Sequence, residues 1–139
     1  MTNQEHVVAV VDPSVEEDAT LDIAQQVADR GGRVTVMVLA SRGTLAGVNA
    51  FADAEDLTVP DAREIFLERL AGQYTERFGG REAPAIFTAL DGSPLVFGTA
   101  ARAEATVVAM PQRLARRWGW RKSITKSTIP VVIAPEKAA

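Results

Sequence analysis

Five short apolar runs punctuate the chain, and the segments between most of them place apolar residues at helical spacing. Residues 7–11, Val-Val-Ala-Val-Val, are apolar at every position. A strand with one face in water would alternate, so this run predicts a strand covered on both sides. Asp12-Pro13-Ser14 ends it. Ser14 followed three residues later by Glu17 has the form of a capping box, which predicts a helix starting there. Leu21, Ala24, Val27 and Ala28 supply that helix's apolar face, and Gly31-Gly32 its stop. Val34 to Leu39 is the second strand. Residues 41–57 are small and polar and are expected to form a long loop with room for one short helix. Thr58-Val59-Pro60-Asp61 starts the next helix, along which Phe66, Leu70, Tyr74 and Phe78 step by four before Gly79-Gly80. Ala83 to Leu90 hold the third strand. Ser93 then serves as a cap and Pro94 as the first turn of a further helix. Thr106–Met110 and Val131–Ala134 are strands four and five. The 19 residues from Pro111 to Ile129 between them suffice for a helical crossover.

Alternation of this kind predicts an α/β fold, a doubly wound parallel sheet of five strands with helices on both faces. No internal repeat, linker or low-complexity stretch divides the chain, so residues 1–139 are expected to form one domain.

Charge changes this picture at one place. The net charge is only −3. Residues 1–104 carry 8 Lys/Arg against 17 Asp/Glu, whereas residues 105–135 carry 6 Lys/Arg and no Asp or Glu. The basic residues, Arg113, Arg116, Arg117, Arg121, Lys122 and Lys126, fall in the crossover between strands four and five, together with Trp118 and Trp120. In an open α/β sheet, the loop leaving a strand's carboxyl end is where ligands sit. There is no cysteine, which excludes disulfides and thiolate chemistry. No apolar run reaches membrane-spanning length and the N-terminal residues lack a leader pattern, so a cytoplasmic protein is expected.

Val10-Val11-Asp12-Pro13-Ser14 after strand one, Gly92-Ser93-Pro94 before a helix, Val107-Val108-Ala109-Met110, and Ile129-Pro130-Val131-Val132-Ile133 follow one another in order across nearly the whole chain. In this series the chain resembles the universal stress proteins. The resemblance implies the strand order 3-2-1-4-5, frequent homodimerisation through the last strand and, in one branch, ATP binding. That branch uses a motif after strand four: Gly, two residues, Gly, nine residues, then Gly followed by Ser or Thr. The corresponding positions here are Pro111, Leu114, Ile124 and Thr125. A phosphate cradle needs backbone N–H groups turned toward the anion. Pro111 has none to offer, and Leu114 and Ile124 add side-chain bulk. The usual triphosphate site is therefore expected to be absent, and ATP is not expected as a cofactor. Asp12 matches the position that contacts the adenine or ribose region in the family.

The candidate ligand residues are Asp12, Arg113, Arg116, Arg117 and Thr125. Arginine forks suit phosphate, so the arginines beside Asp12 would hold a small anion with side chains where glycines use backbone. The competing expectation is a solvated basic helix whose arginine stems cover apolar surface. Trp118 and Trp120 would stack on a ligand or anchor an interface, or at least one of them would pack as core. Asp61, Glu64 and Glu68 share a helix face, and Glu16, Glu17 and Asp18 crowd a helix start; both groups fit ordinary helix electrostatics. His6 is the only histidine. At a strand start it is expected to be exposed or structurally paired, and no metal is expected. The acidic remainder argues against a nucleic-acid partner. Val131, Val132 and Ile133 form a short, apolar last strand, expected at a sheet edge and suited to pairing with a second copy.

The leading expectation is a non-enzymatic, dimeric binding or regulatory module of the stress response. The alternative is a small-molecule protein that holds a nucleotide or other phosphate-bearing ligand through Asp12 and the basic loop. A nucleotide hydrolase is a third reading.

Overall fold

The computed structural model describes residues 4–15 and 18–135. Its elements, in chain order, are β1 (His6–Val11), α1 (Ala19–Asp29), β2 (Arg33–Leu39), α2 (Arg42–Ala54), α3 (Val59–Arg77), β3 (Ala85–Thr88), α4 (Ser93–Arg102), β4 (Val107–Pro111), α5 (Gln112–Ala115), α6 (Trp118–Lys126) and β5 (Val131–Ala134). The five strands form one sheet in the order β3-β2-β1-β4-β5. Every pairing is parallel. The chain winds outward from β1 to β2 and β3, then returns to the other side of β1 with β4. The carboxyl ends of β1 and β4 therefore flank the point where the winding reverses, the place where such sheets open a crevice.

The uninterrupted apolar runs have the predicted cause. All six residues of β1 are buried, because helices cover both faces. Val7, Ala9, Val11, Val34, Val36 and Val38 point to one side and pack with α1, with Leu70 and Tyr74 of α3 and with Phe78 at its C-cap. Val8, Val10, Met37, Leu39, Val108 and Met110 point to the other, against Val96 and Ala100 of α4 and against Leu114 and Trp120 of the crossover. The basic segment is thus part of the second core layer as well as a surface.

Five local expectations are corrected. The first helix is capped by Asp18, whose Oδ1 accepts the Thr20 N–H at 2.9 Å, and Ser14 is not its cap. Ser14 is engaged by the nearer Asp12 carboxylate instead; Glu16 and Glu17 lie outside the described residues. Residues 41–57 are mostly helix, the 13-residue α2, where a long loop with one short helix was expected. Ser41 caps it by accepting the Thr44 N–H, and Val48 and Ala52 pack with Ala62 of α3, so a small satellite core overrides the low hydrophobicity of the segment. Gly92 rather than Ser93 is the N-cap of α4, because the Ser93 hydroxyl turns inward and donates to the Gly119 carbonyl. Strand three is shorter than Ala83–Leu90, and strand four is displaced by one residue from Thr106–Met110 to include Pro111. The Gly31 stop holds as expected: its φ of +84° carries the chain through a turn that a side chain would strain.

Asp61, Glu64 and Glu68 are exposed on α3. Among the described residues no three His, Cys, Asp or Glu side chains gather as a metal site, and no helix is long and apolar enough to cross a membrane. His6 is buried at the amino end of β1. The Ala103 carbonyl, 3.4 Å from Nδ1, accepts a hydrogen bond from the N–H at that position, which leaves Nε2 to accept from the Thr35 hydroxyl at 2.8 Å.

Burial holds the His6 pKa below its ordinary value, with Arg33 adding to the effect and the Ala103 bond opposing it. The unfolded chain therefore takes up a proton first as pH falls through about 6.5. Stability present above that pH should be lost below it. The urea midpoint of the wild type should fall between about pH 7.5 and about pH 5.5, and His6→Gln should flatten that dependence. An equal fall in both proteins would place the titrating group elsewhere.

Candidate functional site

β1 delivers Asp12 to the crevice at its carboxyl end, where the side chain is only 7% exposed. Its Oδ1 accepts from the Ser14 N–H at 3.0 Å and from the hydroxyls of Ser14, Ser41 and Thr44 at 2.6, 2.9 and 3.1 Å. Its Oδ2 accepts from Arg113 Nη2 at 3.0 Å. Its own N–H is held by Asp18 Oδ2. Burial alone would raise the pKa of this carboxyl; the hydrogen bonds from Ser14, Ser41 and Thr44 outweigh it, and the pKa lies below the usual 3.8. The group is a buried anion satisfied by donors from three segments: the turn after β1, the start of α2 and the start of α5.

Local sequence explains the convergence. Ser41 follows β2 directly and caps α2, which brings Thr44 to the same side. Gly43 lies between them. A Cβ there would come within 2.6 Å of Ser14 Cβ, so the close approach of the two turns depends on its absence. Arg113, on the first turn after β4, reaches across to Asp12 while its side chain stays 41% exposed.

Beside this cluster is a crevice of about 230 Å³ lined by Asp12, Leu39, Ser41, Leu90, Arg113, Leu114 and Arg117. Pro111 is buried at the end of β4, in register with Ala134 of β5. Leu114, 1% exposed, forms part of the crevice wall and of the core. Ile124 packs on the same core from α6. The Thr125 hydroxyl donates to the Arg121 carbonyl of its own helix at 2.9 Å. The structure thus brings Asp12, Arg113 and Arg117 together, whereas Arg116 and Thr125 line neither this crevice nor the adjoining groove.

That groove, about 750 Å³, shares Leu90 and Arg117 with the crevice and continues between the β3–α4 turn and α6. The two tryptophans differ completely. Trp120 is 1% exposed, and its indole N–H donates to the Leu90 carbonyl at 2.7 Å. Trp118 is 78% exposed, with Lys122 Nζ 5.2 Å from its ring centre.

No protein-family model matches the sequence, and no curated protein matches it. Solved structures do. A universal stress protein family member from Burkholderia pseudomallei superposes with a TM-score of 0.57 at 16% identity, over 95% of this chain and 96% of that one. The fold is that of the universal stress proteins. A family protein from Arabidopsis thaliana with AMP bound gives a TM-score of 0.60 at 12% identity, over 96% of this chain and 93% of that one. A universal stress protein in complex with cAMP gives 0.57 at 13% identity, over 96% and 98%. Identities this low carry the likeness of fold and no more.

Within this universal stress fold, Ser41 and Thr44 are the site residues that sequence reasoning missed. Their signal was a serine directly after a strand with a threonine three residues on, inside a segment otherwise taken as loop.

The geometry separates two kinds of partner for Asp12. Asp12→Ala leaves the buried Thr44 hydroxyl and the half-buried Ser41 hydroxyl without this acceptor and should cost about 1–3 kcal/mol. Arg113→Ala removes a partly exposed charge and should cost under about 1 kcal/mol. Denaturant titration at neutral pH compares them. The wild type should also lose this contribution as pH falls through 3.8 toward the lower folded value. Equal losses in the two variants would mean that the arginine, not the hydroxyls, dominates.

Proposed function

We propose that this chain is a non-enzymatic binding or regulatory module of the stress response, cytoplasmic and homodimeric, and that its β1–β4 crevice does not take ATP. One observation carries the reading. The Asp12 carboxylate is occupied by the protein's own donors, and the space left beside it, about 230 Å³, is walled by Leu114. That volume lies below the roughly 300–1,000 Å³ typical of sites that enclose a small ligand. A nucleotide would have to displace Ser41, Thr44 or Arg113 from the carboxylate and then find its phosphates opposite Pro111, which has no N–H to donate.

A hydrolase has little support. His6 stands at the amino end of β1, and five strand residues lie between it and Asp12, a span of roughly 20 Å. The reading that competes more seriously is an adenine nucleotide or other phosphate-bearing ligand held by Asp12 and the basic loop. It is favoured by Arg113, whose guanidinium is partly exposed beside Asp12 and has further donors to offer. Two solved structures of this fold carry AMP or cAMP, which makes those nucleotides the first to test. Calorimetric titration of the full chain with Mg-ATP, AMP and cAMP at low ionic strength should give no micromolar binding. Micromolar affinity for any of them would overturn the closed-crevice reading.

The homodimer rests on β5. Among the described residues it pairs with β4 on one side only, and Val132 and Ile133 are exposed, with Val131 half-buried. An open, apolar edge without charge suits antiparallel pairing across a twofold axis. Light scattering should report a dimer at micromolar concentration for the wild type and a monomer for Val132→Lys. A monomeric wild type, or a fully dimeric variant, would remove this interface.

A further inference from the structure

We propose that the groove between the β3–α4 turn and α6 is a second ligand site, for a small molecule with a flat aromatic ring and one anionic group. The inference rests on the binding-module reading and says where the ligand goes. Four observations carry it.

The groove is built. Trp120 ties the Leu90 carbonyl to α6, the Ser93 hydroxyl donates to the Gly119 carbonyl at 3.3 Å, and Ser123 donates to Ser93 at 2.9 Å. These bonds lock α4, α6 and the turn together before any ligand arrives, which lowers the ordering cost of binding. Its volume, about 750 Å³, is inside the range for small-ligand sites.

Its walls are apolar and offer a ring to stack on. Leu90, Pro94 and Trp118 line it, and Trp118 is left 78% exposed. An indole is the strongest of the aromatic faces for stacking and cation contact. Its charge is one-sided: among the described residues, Arg117, Lys122 and Lys126 line the groove against Asp91 alone of the carboxylates. Trp118, Lys122 and Lys126 fall at i, i+4 and i+8 on α6, so they share one face of the helix. A ring laid against Trp118 would carry its anionic group toward the two ammonium groups.

Finally, the occupant is small. The acidic remainder, 17 Asp/Glu against 8 Lys/Arg in the first 104 residues, repels a long polyanion, while the three cations of the groove hold a single anionic group.

Naphthyl phosphate is the probe, titrated into the full chain by calorimetry and followed through the two indole N–H resonances by NMR. Naphthol supplies the ring alone and inorganic phosphate the anion alone. Naphthyl phosphate should bind saturably, at least about tenfold tighter than either arm, and more weakly as salt rises. The Trp118 indole resonance should shift while that of Trp120, bonded to Leu90, stays. Trp118→Ala should weaken binding by at least about fivefold. Lys126→Gln should weaken it as well, and this exposed change provides a second variant if Trp118→Ala melts early. Absence of saturable binding, or equal binding by both variants, overturns this inference and leaves the crevice reading standing. Binding kept in Trp118→Ala but lost in Arg113→Ala moves the ligand to the Asp12 crevice and overturns both.

Discussion

The carboxyl edge of this sheet is organised around one buried carboxylate. Where a doubly wound sheet reverses its winding, the loops after its central strands diverge and leave backbone ends without strand or helix partners. Asp12 occupies that point. Its oxygens collect the turn after β1, the cap of α2 and the first turn after β4, and its amide is held in turn by the cap of α1. A buried anion is costly unless every lone pair is used, and here the donors are local hydroxyls and one amide, with an arginine at the rim. The cluster therefore fixes three segments at once, and the same occupancy limits what a ligand could still bind.

The crossover after β4 has a matching double role. Pro111 extends β4 by one residue in register with β5, and Leu114 and Trp120 enter the core beneath it. A glycine-rich loop at this place would present backbone amides and contribute nothing to packing. This segment instead contributes two of the largest fully buried side chains in the protein. Truncating a buried Trp typically costs about 3–5 kcal/mol. The segment after β4 is thus part of the second core layer rather than a glycine-rich backbone surface.

The fold was legible because its signals are redundant. β1 and β2 are apolar on both faces, and Leu70 and Tyr74 of α3 with Phe78 at its C-cap keep a strict four-residue step, so periodicity alone identified them. α2 was not legible, because its buried face is only Val48, Ala52 and the cap-region Thr44, with glycines at 43 and 47. Propensity argued for loop, and packing against Ala62 decided otherwise. Ser14 and Ser93 look like caps in sequence and are drawn away by tertiary partners, Asp12 and Gly119. In the site, Asp12 and Arg113 could be paired from strand order alone. Ser41 and Thr44 could not, since their meeting depends on α2 being a helix and on Gly43 letting it lie against Ser14.

Trp118 and Trp120 show where such reasoning needs one more step. Residues two apart on a helix point roughly 200° apart, so burying Trp120 sends Trp118 outward. Helix geometry thus accounts for the exposure of residue 118. It does not account for a tryptophan there. Lys or Gln would form the helix at least as well and would be better solvated on a helix already rich in cations. The excess lies in chemistry rather than in fold: an indole, then lysines four and eight residues on, facing a groove whose walls are locked by bonds from Trp120 and Ser93. The core side of α6 fixes where that face points, and the solvent side carries the residues on which the proposed preference for a flat anion rests.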